Sequence, residues 1–173
     1  MDEDFILIRK IKGGNEEAMD SFVRKYYATI LRYCNYHAPD RYIAEDLTQE
    51  TFVRFFKSIS NYRHRGKASA YLCEIAKNVC IDHSKKSCEI PGLEFSEFAD
   101  EKHLTSIESK IVIKQSLYEL PDQLREVLLL HYFQGFTLKE VAAILGIGIP
   151  LAKYRISRAR EQLKKILRKE DFI

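Results

Sequence analysis

The sequence predicts an all-α protein built as two small helical domains joined by a flexible acidic linker. Three observations predict it. Apolar residues recur at steps of three and four along most of the 173 residues, and no stretch alternates as a half-buried strand does. Glycine and proline fall between those periodic runs, at Gly13-Gly14, Pro39, Pro91-Gly92, Pro121, Gly135 and Gly146. Charge is segregated: residues 1–87 and 108–173 carry a cationic excess and residues 88–107 an acidic one, although the whole chain is only +3. The expected domains are therefore 1–87 and 108–173, with the linker at 88–107.

The first helix should cover about Glu3 to Lys12 and break at Gly13-Gly14-Asn15. A long helix follows from Glu16 to about Tyr36, with Phe22, Tyr26, Ile30 and Tyr33 on one side. Pro39 ends that region, and Asp40 caps a helix running to about Ser58. Ile43, Leu47, Thr51 and Phe55 mark its buried side. Asp46, Gln49, Glu50, Val53 and Lys57 form a separate, mostly polar stripe. Such a stripe with one small apolar residue suits a protein contact.

Asn61 to Lys67, NYRHRGK, reads as a basic loop. The helix after it runs from about Ser69 to Lys85 and carries Tyr71, Asn78 and Lys85 at spacings of seven. Tyr62, Arg63, Arg65 and Lys67 precede it, and Lys77 and Lys86 add charge. Aromatics beside cations suit single-stranded bases, which stack at roughly 1–3 kcal/mol each.

Residues 88–107 break the periodicity, and helix resumes from about Ser106 to Leu120. Pro121 restarts it and Gly135 ends the next segment. Thr137 and Glu140 then form a T-x-x-E capping box, so a helix begins at Leu138, with Val141, Ile144 and Leu145 on its apolar face. Gly146 ends it, Gly148 starts another helix, and Pro150 sits in the first turn, where a missing N–H is tolerated.

That last helix has a core stripe of Ala152, Ile156, Ala159, Leu163 and Ile166. Residues 150–169 hold eight Lys or Arg against one acid, Glu161. A helix, a tight turn and a cationic second helix together fit insertion into the major groove of DNA. Lys153, Tyr154, Ser157 and Arg158 are placed to reach base edges. Arg155 and Arg160 are better placed to touch phosphates or to pair with acids, and Thr137 and Lys139 can anchor the preceding helix to the backbone.

Other chemistries are not signalled. There is no phosphate-binding glycine loop, paired-carboxylate site or nucleophile with a base, so no catalytic residue, cofactor or small-molecule substrate is expected. His131 lies between apolar residues and reads as a core histidine. Cys34, Cys73, Cys80 and Cys88 contain no C-x-x-C pair. A metal set of Cys80, His83 and Cys88 matches no common zinc spacing, so reduced thiols and no metal are expected. No run approaches the ~18 apolar residues of a membrane span, and MDEDFILIRK lacks a cleavable signal pattern, so a cytoplasmic location is expected.

Four blocks in order carry a family resemblance: AEDLTQETFVRFF (44–56), GKASAYLCEIAKNVCIDHSKK (66–86), LPDQLREVLLLHYFQGFTLKEVAAILGI (120–147) and KYRISRAREQLKK (153–165). Together they resemble a bacterial RNA polymerase sigma factor of the sigma-70 family, extracytoplasmic-function (ECF) type. The resemblance implies that the N-terminal domain binds core RNA polymerase through Asp46, Gln49, Glu50, Val53 and Lys57, and the −10 promoter element through the 62–86 block. The C-terminal domain would bind the −35 element. It also implies an anti-sigma factor as partner, often from the membrane. Two positions depart from the family pattern. Tyr71 stands where tryptophan is common, and Gly148-Ile149-Pro150-Leu151-Ala152 replaces a small polar run. The competing reading is a stand-alone helix-turn-helix regulator with an N-terminal sensing or dimerisation module.

Overall fold

The computed structural model describes residues 3–64, 66–87 and 107–170. Every regular element among them is helical: α1 Glu3–Lys12, α2 Glu16–His37, α3 Arg41–Ser58, α4 Ala68–Ser87, α5 Ile107–Tyr118, α6 Asp122–Leu128, a π-helical turn Leu129–Phe133, α7 Leu138–Leu145 and α8 Ile149–Glu170. The chain divides into two compact units, Met1–Phe98 and Ala99–Ile173. The proposed linker lies outside the described residues except for Ile107, which opens α5.

In the first unit α2 packs against α1, α3 and α4, and α3 packs against α4. Local chemistry sets the helix starts. Asn15 Oδ1 accepts from the Ala18 N–H at 2.8 Å, and Asp40 Oδ1 accepts from the Ile43 N–H at 2.8 Å. The core is aromatic at its centre: Phe22 and Phe55, both fully buried, stack with centroids 4.8 Å apart and planes 9° apart. Thr48 and Thr51 are also buried, and their hydroxyls donate one turn back to the carbonyls of Ala44 and Leu47, both at 2.7 Å. Asp4, 6 % exposed, ties α1 to α2 by accepting from the Tyr26 hydroxyl and from Lys25 Nζ at 2.8 Å. The carboxylate in turn raises the pKa of Lys25.

In the second unit α8 packs against α5, α6 and α7. The expected uninterrupted helix from Pro121 to Gly135 is instead α6 followed by the π turn. Val127, Leu128, Leu129 and Leu130 are all buried, and the widened turn accompanies burial of four consecutive side chains. His131 donates from Nδ1 to the Phe136 carbonyl at 2.7 Å, closing the chain back on itself before α7. The capping box at Thr137 and Glu140 is complete in both directions. At the far end of α7, Gly146 has φ 64°, its N–H reaches the Ala143 carbonyl, and the Ile147 N–H reaches the Ala142 carbonyl at 3.0 Å. This Schellman closure requires the left-handed conformation that glycine adopts without strain.

Candidate polymerase and promoter interfaces

Three surfaces collect the residues singled out from sequence. The first is the outer side of α3. Leu47, Thr51 and Phe55 are buried, while Asp46, Gln49, Glu50, Val53 and Lys57 are all exposed and follow helical spacing. Glu50 is engaged by Arg54 at 2.7 Å, and Arg54 reaches on to Asp82 of α4 at 2.9 Å. Sequence reasoning missed one member of this stripe. Tyr42 is 81 % exposed, and its offsets of four, seven and eleven to Asp46, Gln49 and Val53 continue the same line. The signal that could have found it is the spacing itself.

The second surface is the segment between α3 and α4 together with α4. Tyr62, expected from sequence among the base-stacking candidates, is enclosed here. Tyr62 is 8 % exposed, stacked on Tyr71 at 4.6 Å and 27°, and packed against Phe55 at 5.7 Å. Its ring belongs to the core cluster, and its carbonyl accepts from Lys12 Nζ at 2.6 Å, which fixes the segment against the end of α1. Tyr71 is half-buried, with Tyr62 on it and Phe55 edge-on at 6.0 Å, so part of the ring is structural.

Arg63, Lys67, Asn78, Lys85 and Lys86 are exposed and Lys77 is half-buried. Arg65 lies outside the described residues. Phe5 of α1, 47 % exposed, stands 6.4 Å from the His64 ring, a neighbour that no sequence pattern indicated. On α4, hydrogen bonding from Arg54 of α3 holds the Asp82 carboxyl below its ordinary range.

The third surface is α7, the Gly146–Gly148 turn and α8. Ala152, Ile156 and Ala159 are buried, and Leu163 and Ile166 are half-buried, as the core stripe requires. Lys139, Lys153, Tyr154, Ser157, Arg158 and Arg160 are exposed, and Arg155 is half-buried. Two arginines have partners within the unit: Arg155 donates to Gln123 at 2.8 Å, and Arg158 pairs with Glu161 at 3.0 Å. The exposed Thr137 hydroxyl serves the capping box. Ile149 and Leu151, 48 % and 40 % exposed, open the helix on its outer side.

No group of His, Cys, Asp or Glu among the described residues is arranged to hold a metal ion, and Cys88 lies outside them. Cys34, Cys73 and Cys80 are buried. A hydrogen bond from Cys80 lowers the Cys34 thiol pKa. No described helix is long and apolar enough to cross a membrane.

These surfaces coincide with two family models, Sigma-70 region 2 over residues 22–87 and Sigma-70 region 4 over residues 111–163. The ECF RNA polymerase sigma factor SigW of Bacillus subtilis is 33 % identical, with 93 % of this chain and 95 % of SigW covered. The chain belongs to the sigma-70 family, in its ECF group. SigM of Bacillus subtilis, also an ECF sigma factor, is 32 % identical over 86 % of this chain and 94 % of its own. CnrH, solved with the cytosolic domain of CnrY, has the same fold, with a TM-score of 0.77 at 22 % identity over 97 % of this chain and 99 % of CnrH. Both sigma regions fall on one chain, so the reading as a stand-alone helix-turn-helix regulator is set aside.

Proposed function

We propose that this ECF sigma factor docks on core RNA polymerase through the outer stripe of α3, engages the −10 element with the 63–86 segment, and lays α8 into the major groove of the −35 element. The observation that carries the reading is a polar α3 stripe and a capped helix-turn-helix on separate units of one chain. Each meets the requirement of its partner. The stripe is mostly polar around Val53, with Tyr42 adding the kind of aromatic anchor that dominates protein interfaces. The exposed cations of α8 suit phosphate contacts whose affinity falls steeply with salt.

In the 63–86 segment, Arg63, Arg65, Lys67, Lys77, Lys85 and Lys86 supply charge for a melted strand, and Asn78 supplies a polar group for base edges. Tyr71 offers its uncovered ring portion, while Tyr62 positions it. Thr137 and Lys139 anchor α7 to the backbone, and Arg155 and Arg160 serve phosphates. The factor performs no catalysis of its own; it confers initiation on the polymerase from a cytoplasmic location. An anti-sigma factor is its regulatory partner. The sigma factor RpoE of Bartonella quintana, solved with the anti-sigma factor NepR, is a complex of that kind.

The test is run-off transcription with purified core polymerase, paired with a core pull-down. The Asp46→Arg, Gln49→Arg double variant should lose core binding and run-off product together. Tyr42→Ala should weaken core binding by about 2 kcal/mol, near thirtyfold, if the ring is a packed anchor. Wild-type binding by the double variant would remove α3 from the core interface.

A further inference from the structure

We infer that the −35 element is read through thymine methyl groups, by Leu151 and Tyr154 at the start of α8. This rests on the assignment of α8 to the −35 duplex. The helix begins at Ile149, and the Ala152 N–H closes its first turn on the Gly148 carbonyl at 3.0 Å. The N-terminal turns of a recognition helix are the ones that meet base edges. In those turns the outward side chains include two large, mostly hydrocarbon ones beside the exposed Lys153: Leu151 is 40 % exposed and Tyr154 60 %. They share one stripe with Arg158, on the side away from buried Ala152, Ile156 and Ala159.

Two of the cationic neighbours also have partners within the unit. The Arg158 guanidinium is paired with Glu161 and Arg155 with Gln123. Isolated exposed apolar residues are ordinary on a surface. Here Ile149, Leu151 and Tyr154 gather within six residues at the end of the helix that faces the groove. Every base pair presents donors and acceptors in the major groove, and only A·T pairs add an apolar methyl there, the C5-methyl of thymine. A leucine and a tyrosine ring brought to base edges gain contact with such methyls. A polar run at the same positions would select for hydrogen-bonding edges instead.

The experiment uses full-length protein with core polymerase and a randomised duplex pool. The enriched upstream duplex is resynthesised with deoxyuridine replacing thymine one position at a time, which removes only the methyl. Wild type should lose about fourfold in affinity per contacted methyl, the equivalent of ~0.8 kcal/mol for one buried carbon. Leu151→Ala should bind the thymine duplex weakly and lose nothing further at that position with deoxyuridine. Tyr154→Phe should keep the methyl dependence. An enriched duplex whose affinity is the same with deoxyuridine at every position overturns methyl reading while leaving −35 binding intact. A pool that yields no enriched upstream duplex overturns both. The wild-type arm needs no variant, so misfolding cannot produce either result.

Discussion

The two units hold their functional segments in different ways. In the first, the segment entering α4 is positioned by partners far away in sequence: Lys12 on the Tyr62 carbonyl, Tyr62 on Tyr71, and both rings on Phe55. In the second, the helix-turn-helix is positioned by neighbours a few residues apart: Thr137 with Glu140, Gly146 with Ala143, and Ile147 with Ala142. The first surface is only as good as an aromatic core, while the second is specified by caps and a turn. Damage to either should therefore have a different size and a different reach.

The largest effect is expected at Phe55, which is fully buried and touches the rings of Phe22, Phe56, Tyr62 and Tyr71. Phe55→Ala removes the ring on which both tyrosines rest, at a cost of about 3–5 kcal/mol. Chemical denaturation followed by circular dichroism should show the first unit unfolding at lower denaturant. Opening of a −10 duplex, read by permanganate reactivity of thymines, should fail with it. Duplex binding through α8 should persist. Equal loss of −35 binding would break the comparison by showing that the units do not act separately.

A smaller effect tests the second unit. Gly146 has φ 64°, and a Cβ added there meets nothing within 4 Å. The penalty of Gly146→Ala is therefore conformational, about 1–2 kcal/mol for a left-handed residue. Asparagine tolerates that conformation better, so Gly146→Asn should recover much of the loss. Thermal unfolding of the three proteins measures it. If Ala and Asn are equally harmful, something other than the turn conformation sets the geometry of the helix-turn-helix.

The same contrast explains what the sequence made legible. Caps and turns are written within four or five residues, so Asp40, Thr137, Glu140 and Gly146 could be placed by reading along the chain. The outer stripe of α3 followed from helical spacing alone. Tyr62 could not be placed this way. Its cationic neighbours suggested exposure, but its burial is decided by Phe55, Tyr71 and the amine of Lys12, fifty residues away. The π turn after Leu128 was equally hidden, because apolar periodicity does not distinguish a widened turn from an α-helical one. Tyr42 was legible from spacing, since it stands four, seven and eleven residues before Asp46, Gln49 and Val53.

The smallest effect concerns an exposed ion pair that joins α3 to α4 in the first unit. Arg54 of α3 bonds Glu50 on its own helix and Asp82 on α4, whereas Arg158 and Glu161 in the second unit are three residues apart on one helix. The Arg54 guanidinium depresses the Asp82 pKa. A carboxylate with a depressed folded-state value stabilises the fold above its unfolded value, and the contribution fades as pH falls through the folded one. Both partners are solvent-exposed, so salt should screen the pair. Asp82→Asn should thus lower the midpoint of the first unit slightly at neutral pH and low salt. The difference from wild type should close in high salt, and close again at pH below the Asp82 transition. Neutralising Glu161 in the same way breaks no tie between helices and should shift its unit's midpoint less. A larger shift from Glu161 than from Asp82 would mean that α8 depends on its own surface pairing, and that the second unit is not held by caps and turn alone.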